Sequence, residues 1–242
     1  MSTESKMFQV STLQALALGY NKAVITVNEL LRHGTIGLGT FEGVDGEMIV
    51  LDGVCYRADD TGRVEPAPLE AGVPFASVTD WTEHRSVDLG SCPNIEELKN
   101  RLNVLIEEHF GLNSMHVVRI DGLYEKVSAR SETGRLTHHI TLKDALAESQ
   151  KEFLFESTEG TMVCVYYPDF MDGINAPGWH LHFLSRDRRL GGHAFGLSLV
   201  SGTARIDRIT RIEIQIPSDP SFDTYALKEA QQSDIKKVEQ GD

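Results

Sequence analysis

One run constrains this chain more than any other: Gly178-Trp179-His180-Leu181-His182-Phe183-Leu184-Ser185-Arg186-Asp187-Arg188-Arg189-Leu190-Gly191-Gly192-His193-Ala194-Phe195-Gly196. Trp179 to Leu184 is an aromatic and aliphatic segment behind a Pro-Gly pair. Arg186 to Gly192 is polar and ends in glycine, and an apolar segment follows from His193 to Val200, so the pattern predicts strand, turn and returning strand. Side chains alternate across a strand, which puts His180 and His182 on one face and Trp179, Leu181 and Phe183 on the other. A hairpin folded symmetrically between Asp187 and Arg188 sets His193 opposite His182 and Phe195 opposite His180. Directly opposed residues have Cβ atoms roughly 5 Å apart, close enough for three imidazoles to meet on one ion. Three nitrogen ligands with open positions are the catalytic pattern for zinc, whereas structural zinc sites close with four protein ligands and favour Cys. The plainer reading is three hydrogen-bonded histidines in a half-buried strand pair. A register slip of one residue turns His193 away.

The composition is that of a folded, soluble protein. With 242 residues and 40% hydrophobic content the chain has material for one large domain or two small ones. The formal net charge of −13, without a long basic run, gives no electrostatic support for binding nucleic acid or an anionic membrane. Cys55, Cys92 and Cys164 are far apart and odd in number, which argues against a disulfide framework and for a reducing cytoplasm. No stretch reaches the length of a transmembrane helix, and the apolar run at Leu13 to Leu18 lacks a basic leader.

Along the chain, a short amphipathic helix is expected from Ser11, and Thr26-Val27-Asn28-Glu29 has the form of a capping box opening a second. Glycine-punctuated strands follow at 35–41, 47–51 and 54–57, with Asp45-Gly46 and Asp52-Gly53 as turns. Further strands are expected at 64–68 and 75–81, and a helix opens at Asn94. Strands at 115–120 and 123–129 precede a polar connection, 131–152, with one helical turn near its end. Strands at 160–167, the histidine hairpin and 206–216 complete the pattern, before a charged tail from Phe222. The expectation is an α+β protein: a flexible N-terminus (1–7), a mixed β-sheet subdomain with helices (8–150), and a mostly antiparallel, β-barrel-like subdomain (151–242) carrying the histidines and the tail.

Two of these segments resemble a known family. His33-Gly34-Thr35-Ile36-Gly37-Leu38-Gly39-Thr40-Phe41-Glu42-Gly43-Val44-Asp45-Gly46-Glu47 and its continuation to Asp52-Gly53 resemble the N-terminal signature of alpha-acetolactate decarboxylases. Gly178-Trp179-His180-Leu181-His182-Phe183 with Gly191-Gly192-His193 resembles their zinc motif. The similarity runs from Phe8 into the acidic tail. It implies decarboxylation of 2-acetolactate to acetoin by a homodimer, with zinc on His180, His182 and His193. It also implies that Thr40, Glu47, Arg130 and Glu239 line the site. After Arg130 the chain departs from the family pattern, with Ser131-Glu132-Thr133-Gly134-Arg135 in place of a proline-bearing segment, so Arg135 rivals Arg130.

These residue types suit the chemistry. Loss of CO2 from a 2-hydroxy-3-keto acid leaves electrons that the adjacent ketone can accept, and zinc would stabilise that charge as a Lewis acid. Glu47 or Glu239 would return the proton. An arginine fork matches a carboxylate, and Thr40 could orient a substrate oxygen. Taken without the resemblance, Glu47 reads as a solvated turn residue, Glu239 as frayed tail and Arg130 as a surface ion-pair residue. A cupin-like metal oxygenase or isomerase also uses His-x-His, with Asp187 as its acidic ligand, and a binding barrel with structural histidines is the non-enzymatic reading.

Overall fold

Alternation of side chains explains most of the architecture seen in the computed structural model, which describes residues 5–134 and 141–224. The first half holds β1 (Ser5–Val10), α1 (Leu13–Ala17), β2 (Ile25–Thr26), α2 (Val27–Leu30), β3 (Ile36–Thr40), β4 (Glu47–Leu51), β5 (Val54–Ala58), β6 (Val64–Pro66), β7 (Gly72–Val73), β8 (Phe75–Thr79), β9 (Arg85–Asp88) and α3 (Ile95–His109). The second half holds β10 (Met115–Ser131), α4 (Leu142–Ser149), β11 (Lys151–Tyr167), β12 (Gly178–Ser185), β13 (Gly191–Gln215) and α5 (Pro220–Asp223). The protein is mostly sheet with few helices, as an α+β reading expects.

The main sheet runs β10-β11-β12-β13-β1-β8-β3-β4-β5-β6. β10 also pairs with β13, so β10, β11, β12 and β13 close a circuit of antiparallel pairings. β1 joins the halves. It lies parallel to the end of β13, with Met7 beside Ile212, and antiparallel to β8, with Phe8 beside Val78. Residues 5–7, expected in a flexible leader, are therefore part of a strand, and Met7 is fully buried. The reason is non-local: the strand exists because two distant partners flank it.

Three of the four apolar clusters among the described residues set the layers. Trp179, Leu181 and Phe183 pack with Leu98, Leu102 and Ile106 of α3. Leu38, Ile49 and Leu51 of the first half pack with Val163, Val165 and Leu184 of the second. Phe8, Val50 and Val78 pack with Val27 and Leu30 of α2 on the far side. The second layer decides the function, because it presses β3 and β4 against the histidine face of β12.

Helix starts and turns obey local chemistry. Thr26 and Glu29 form the reciprocal capping box, and Asn94 Oδ1 accepts from the Glu97 amide at 2.8 Å. Asp52 and Gly53, with φ of 53° and 77°, make the two-residue turn between β4 and β5. Asp45-Gly46 does not close a tight turn, because β3 ends at Thr40 and residues 41–46 form a longer loop. The expected strand pair 115–120 and 123–129 is one strand, β10, with a register shift at Leu123 and Tyr124. β13 likewise runs unbroken through Ser201-Gly202. Glycines there mark bends rather than turns.

Candidate metal centre

The histidine hairpin has the register that its sequence predicts. His182 lies opposite His193, Phe183 opposite Gly192 and Leu184 opposite Gly191. Ser185 pins the turn: its hydroxyl donates to Asp187 Oδ1 at 2.7 Å and accepts from the Arg189 and Leu190 amides. The expected opposition of Phe195 and His180 does not form. Beyond His193, β13 leaves β12 for β10, so Ala194 faces Ala129 and His180 faces Val165 of β11. Gly192 permits this crossing, since its φ is 148° and a Cβ there would stand 2.8 Å from the Arg130 carbonyl oxygen.

The imidazoles converge. His180 Nε2 is 3.0 Å from His182 Nε2 and 3.1 Å from His193 Nδ1, and all three residues are buried. Nitrogens each about 2.0–2.1 Å from one zinc ion span such distances readily, so the donor set fits a metal. His182 Nδ1 donates to the Met48 carbonyl at 2.8 Å, which fixes the ring and leaves the Nε2 lone pair facing the cluster. Burial, reinforced by Arg130 and Lys99, pushes His180 down to about 3. Burial and neighbouring His180 hold His182 well below the usual imidazole range. Both rings are neutral at physiological pH, the state that binds metals. Among the described residues, His180, His182 and His193 are the group of histidine, cysteine or acidic side chains able to hold an ion. Asp187 stays in the turn, bonded to Ser185, which removes the acidic ligand that a cupin-like arrangement requires.

Three of the other expected residues, Glu47, Arg130 and Thr40, meet at the same place. Glu47 opens β4 directly opposite Thr40, the last residue of β3. Its Oε2 lies 3.3 Å from His182 Nε2 and its Oε1 3.8 Å from His193 Nδ1. Arg130 lies opposite His193 on β10, with Nη2 3.4 Å from His193 Nε2. Thr40 lines the cleft, and its hydroxyl donates to the Gly46 carbonyl at 2.9 Å, closing the 41–46 loop. Glu239 and Arg135 lie outside the described residues.

The cleft has a polar wall and an apolar one. Glu47, Arg130, His180 and His193 form the first, and Leu16, Val44, Phe75, Leu142 and Leu146 form most of the second. One carboxylate here was not singled out from the sequence: Glu132, only 3% exposed, also lines the cleft. In a polar stretch a glutamate reads as solvated, and its spacing of two from Arg130 was the available signal.

Comparison with known proteins agrees with this geometry. The family profile described as alpha-acetolactate decarboxylase matches residues 7–229. An alpha-acetolactate decarboxylase of Methanosarcina mazei is 35% identical over 233 residues, covering 96% of this chain and 80% of that protein. The Brevibacillus brevis enzyme is 30% identical over 234 residues, with the same coverage of 96% and 80%. The crystal structure of alpha-acetolactate decarboxylase from Bacillus subtilis strain 168 superposes with a TM-score of 0.91 at 27% identity, covering 98% of this chain and all of that one. A match over nearly the whole chain, on a fold that brings Thr40, Glu47, Arg130, His180 and His193 to one cleft, places this protein in the alpha-acetolactate decarboxylase family.

Proposed function

We propose that this decarboxylase converts 2-acetolactate to acetoin and CO2 with a zinc ion held by His180, His182 and His193. The observation carrying the metal reading is the convergence of three buried imidazole nitrogens, two of them 3.0 and 3.1 Å from His180 Nε2, beside the Glu47 carboxylate. When bound, the ion supplies Lewis-acid stabilisation of the negative charge that loss of CO2 leaves on the substrate oxygens.

The chain's own groups do the rest. Arg130 offers two parallel N–H donors to the substrate carboxylate. In its contact with His193 the guanidinium can only donate, so Nε2 accepts there. If His193 held an ion through Nδ1, its ring proton would sit on Nε2 and that contact would become donor against donor, leaving the Arg130 fork for the substrate. Glu47 stands within 4 Å of two ligand nitrogens and is the described group placed to take the hydroxyl proton or return one to carbon. Glu239 is the second acid in this reading, which requires the tail to reach the cleft. Thr40 shapes the substrate pocket by holding the 41–46 loop, and the apolar wall accommodates the methyl groups.

Two subdomains divided near residue 150 fit this division of labour: the later portion brings the imidazoles on β12 and β13, and the earlier one brings Glu47 and Arg130. A homodimer and a cytoplasmic setting go with the same reading. Cys55, Cys92 and Cys164 are buried thiols, as suits a reducing compartment. No helix among the described residues is long and apolar enough to cross a membrane. The test is acetoin formation from 2-acetolactate by zinc-loaded protein, together with the Glu47→Gln variant. The variant should retain metal and lose roughly a hundredfold or more in kcat, the usual worth of a positioned acid or base. Full activity in the variant contradicts the assignment.

A further inference from the structure

The segment after Arg130 is anchored on both sides of one residue. Ser131 is fully buried, and its hydroxyl donates to the Ala58 carbonyl at 2.8 Å and accepts from the Glu47 amide at 3.3 Å. Glu47 and Ala58 are partners across β4 and β5, so Ser131 sits on the last rung of that ladder. Gly134 donates its amide to Asp45 Oδ1 at 2.9 Å, and a Cβ on it would stand 2.4 Å from the Asp45 Cβ. Asp45 is held in turn by Arg57 at 2.8 Å. The chain from 131 to 134 is thus fastened to the 41–46 loop and to Glu47 at the start of β4.

Between the two anchors lies Glu132. It follows the end of β10 at Ser131, two residues beyond Arg130, and lines the same cleft as Arg130, Glu47, His180 and His193. A carboxylate at 3% exposure needs a compensating cation, because burying an unpaired charge is costly. Arg130 is the arginine or lysine among the described residues lining this cleft.

We propose that Glu132 is a positioning residue of the reaction site: its carboxylate, fixed by the Ser131 and Gly134 anchors, pairs with the Arg130 guanidinium and sets the fork in line with the substrate carboxylate. The inference rests on the decarboxylase reading, and goes beyond it by giving Arg130 a positioning carboxylate. Ser131 is the hinge of the arrangement, because one hydroxyl ties the strand carrying Arg130 and Glu132 to the strand carrying Glu47.

A double-mutant cycle tests this with full-length, zinc-loaded protein. Glu132→Gln, Arg130→Gln and the double variant are compared for melting temperature, metal content and kcat/KM on 2-acetolactate. Each single variant strands the partner charge, so each should lower the melting temperature, and the double variant should lose less than the sum of the two. Metal content should stay at the parental level. Glu132→Gln should lower kcat/KM at least tenfold, Glu132→Asp should recover part of it, and adding Glu132→Gln to Arg130→Gln should cost little more. Additive losses of stability, or a Glu132→Gln variant with parental stability, overturn the proposal whether or not the parent turns over. An inactive parent with stability coupling intact would instead count against the decarboxylase reading alone.

Discussion

His182 and His193 face each other across β12 and β13, and His193 also faces Arg130 on β10, so one imidazole stands at the point where β13 changes neighbours. The histidine cluster therefore depends on a crossing as well as on a hairpin. His193→Ala should abolish tight zinc binding, because it removes one of three ligands. Phe195→Ala, two residues further along, should keep it. Inductively coupled plasma analysis of both purified variants checks the contrast, and equal metal content in the two would contradict it.

The approach of β3 to β8 sets the position of Thr40. A Cβ on Gly39 would stand 2.4 Å from the Phe75 carbonyl oxygen and 2.6 Å from the Ala76 Cα, both backbone atoms that cannot move without separating the strands. Gly39→Ala should therefore destabilise the fold by about 1–3 kcal/mol or more, as overpacking does. Urea unfolding against the parent measures it, and an unchanged midpoint would refute the contact argument.

Ser131 joins the strand that carries Arg130 to the strand that carries Glu47. Removing its hydroxyl takes a partner from the Ala58 carbonyl and the Glu47 amide, so Ser131→Ala should cost about 1–3 kcal/mol. Because Glu47 is attached to that amide, activity should fall roughly tenfold or more, the scale seen for residues that orient a site's ligands. Ser131→Thr, which keeps the hydroxyl, should restore part of both, and failure of the conservative variant to rescue activity would sink the positioning role.

How far the sequence foretold this arrangement follows from the range of the interactions involved. The hairpin was legible because its alternation and turn chemistry are local, with Ser185 closing a loop of neighbouring residues. β1 was not legible. Its pattern is nearly continuous burial, and its partners β8 and β13 lie some 70 and 200 residues away in sequence. The long strands β10 and β13 read as fragments because Gly122 and Gly202, which face each other, look like turn residues when they are bends. Glu47 and Arg130 emerged through family resemblance, and the fold brings them to the histidines. Glu132 stayed hidden because its neighbours Ser131 and Gly134 are held by residues 47 and 45, more than eighty positions earlier.

A histidine away from the cleft supplies a pH signature. His116 is fully buried beside Phe110 and Tyr166, and burial pushes its imidazole down to about 4 from the usual 6.5. The folded state thus takes up this proton less readily than the unfolded state, so the contribution to stability is complete above about pH 6.5 and is lost as pH falls toward 4. The full span corresponds to at most about 3 kcal/mol. Unfolding free energies measured between pH 7 and pH 4 on the parent and on His116→Gln should diverge in slope across that window, and identical slopes would contradict the assignment.

The most direct test of the central claim is zinc content and acetoin production measured on the same preparations of parent and His180→Ala protein. The account predicts about one zinc per chain and turnover of 2-acetolactate for the parent, with both lost in the variant. It also predicts that chelation silences the parent and that added zinc restores it. Undiminished acetoin production by His180→Ala, or by chelated parent shown to be metal-free, would contradict it.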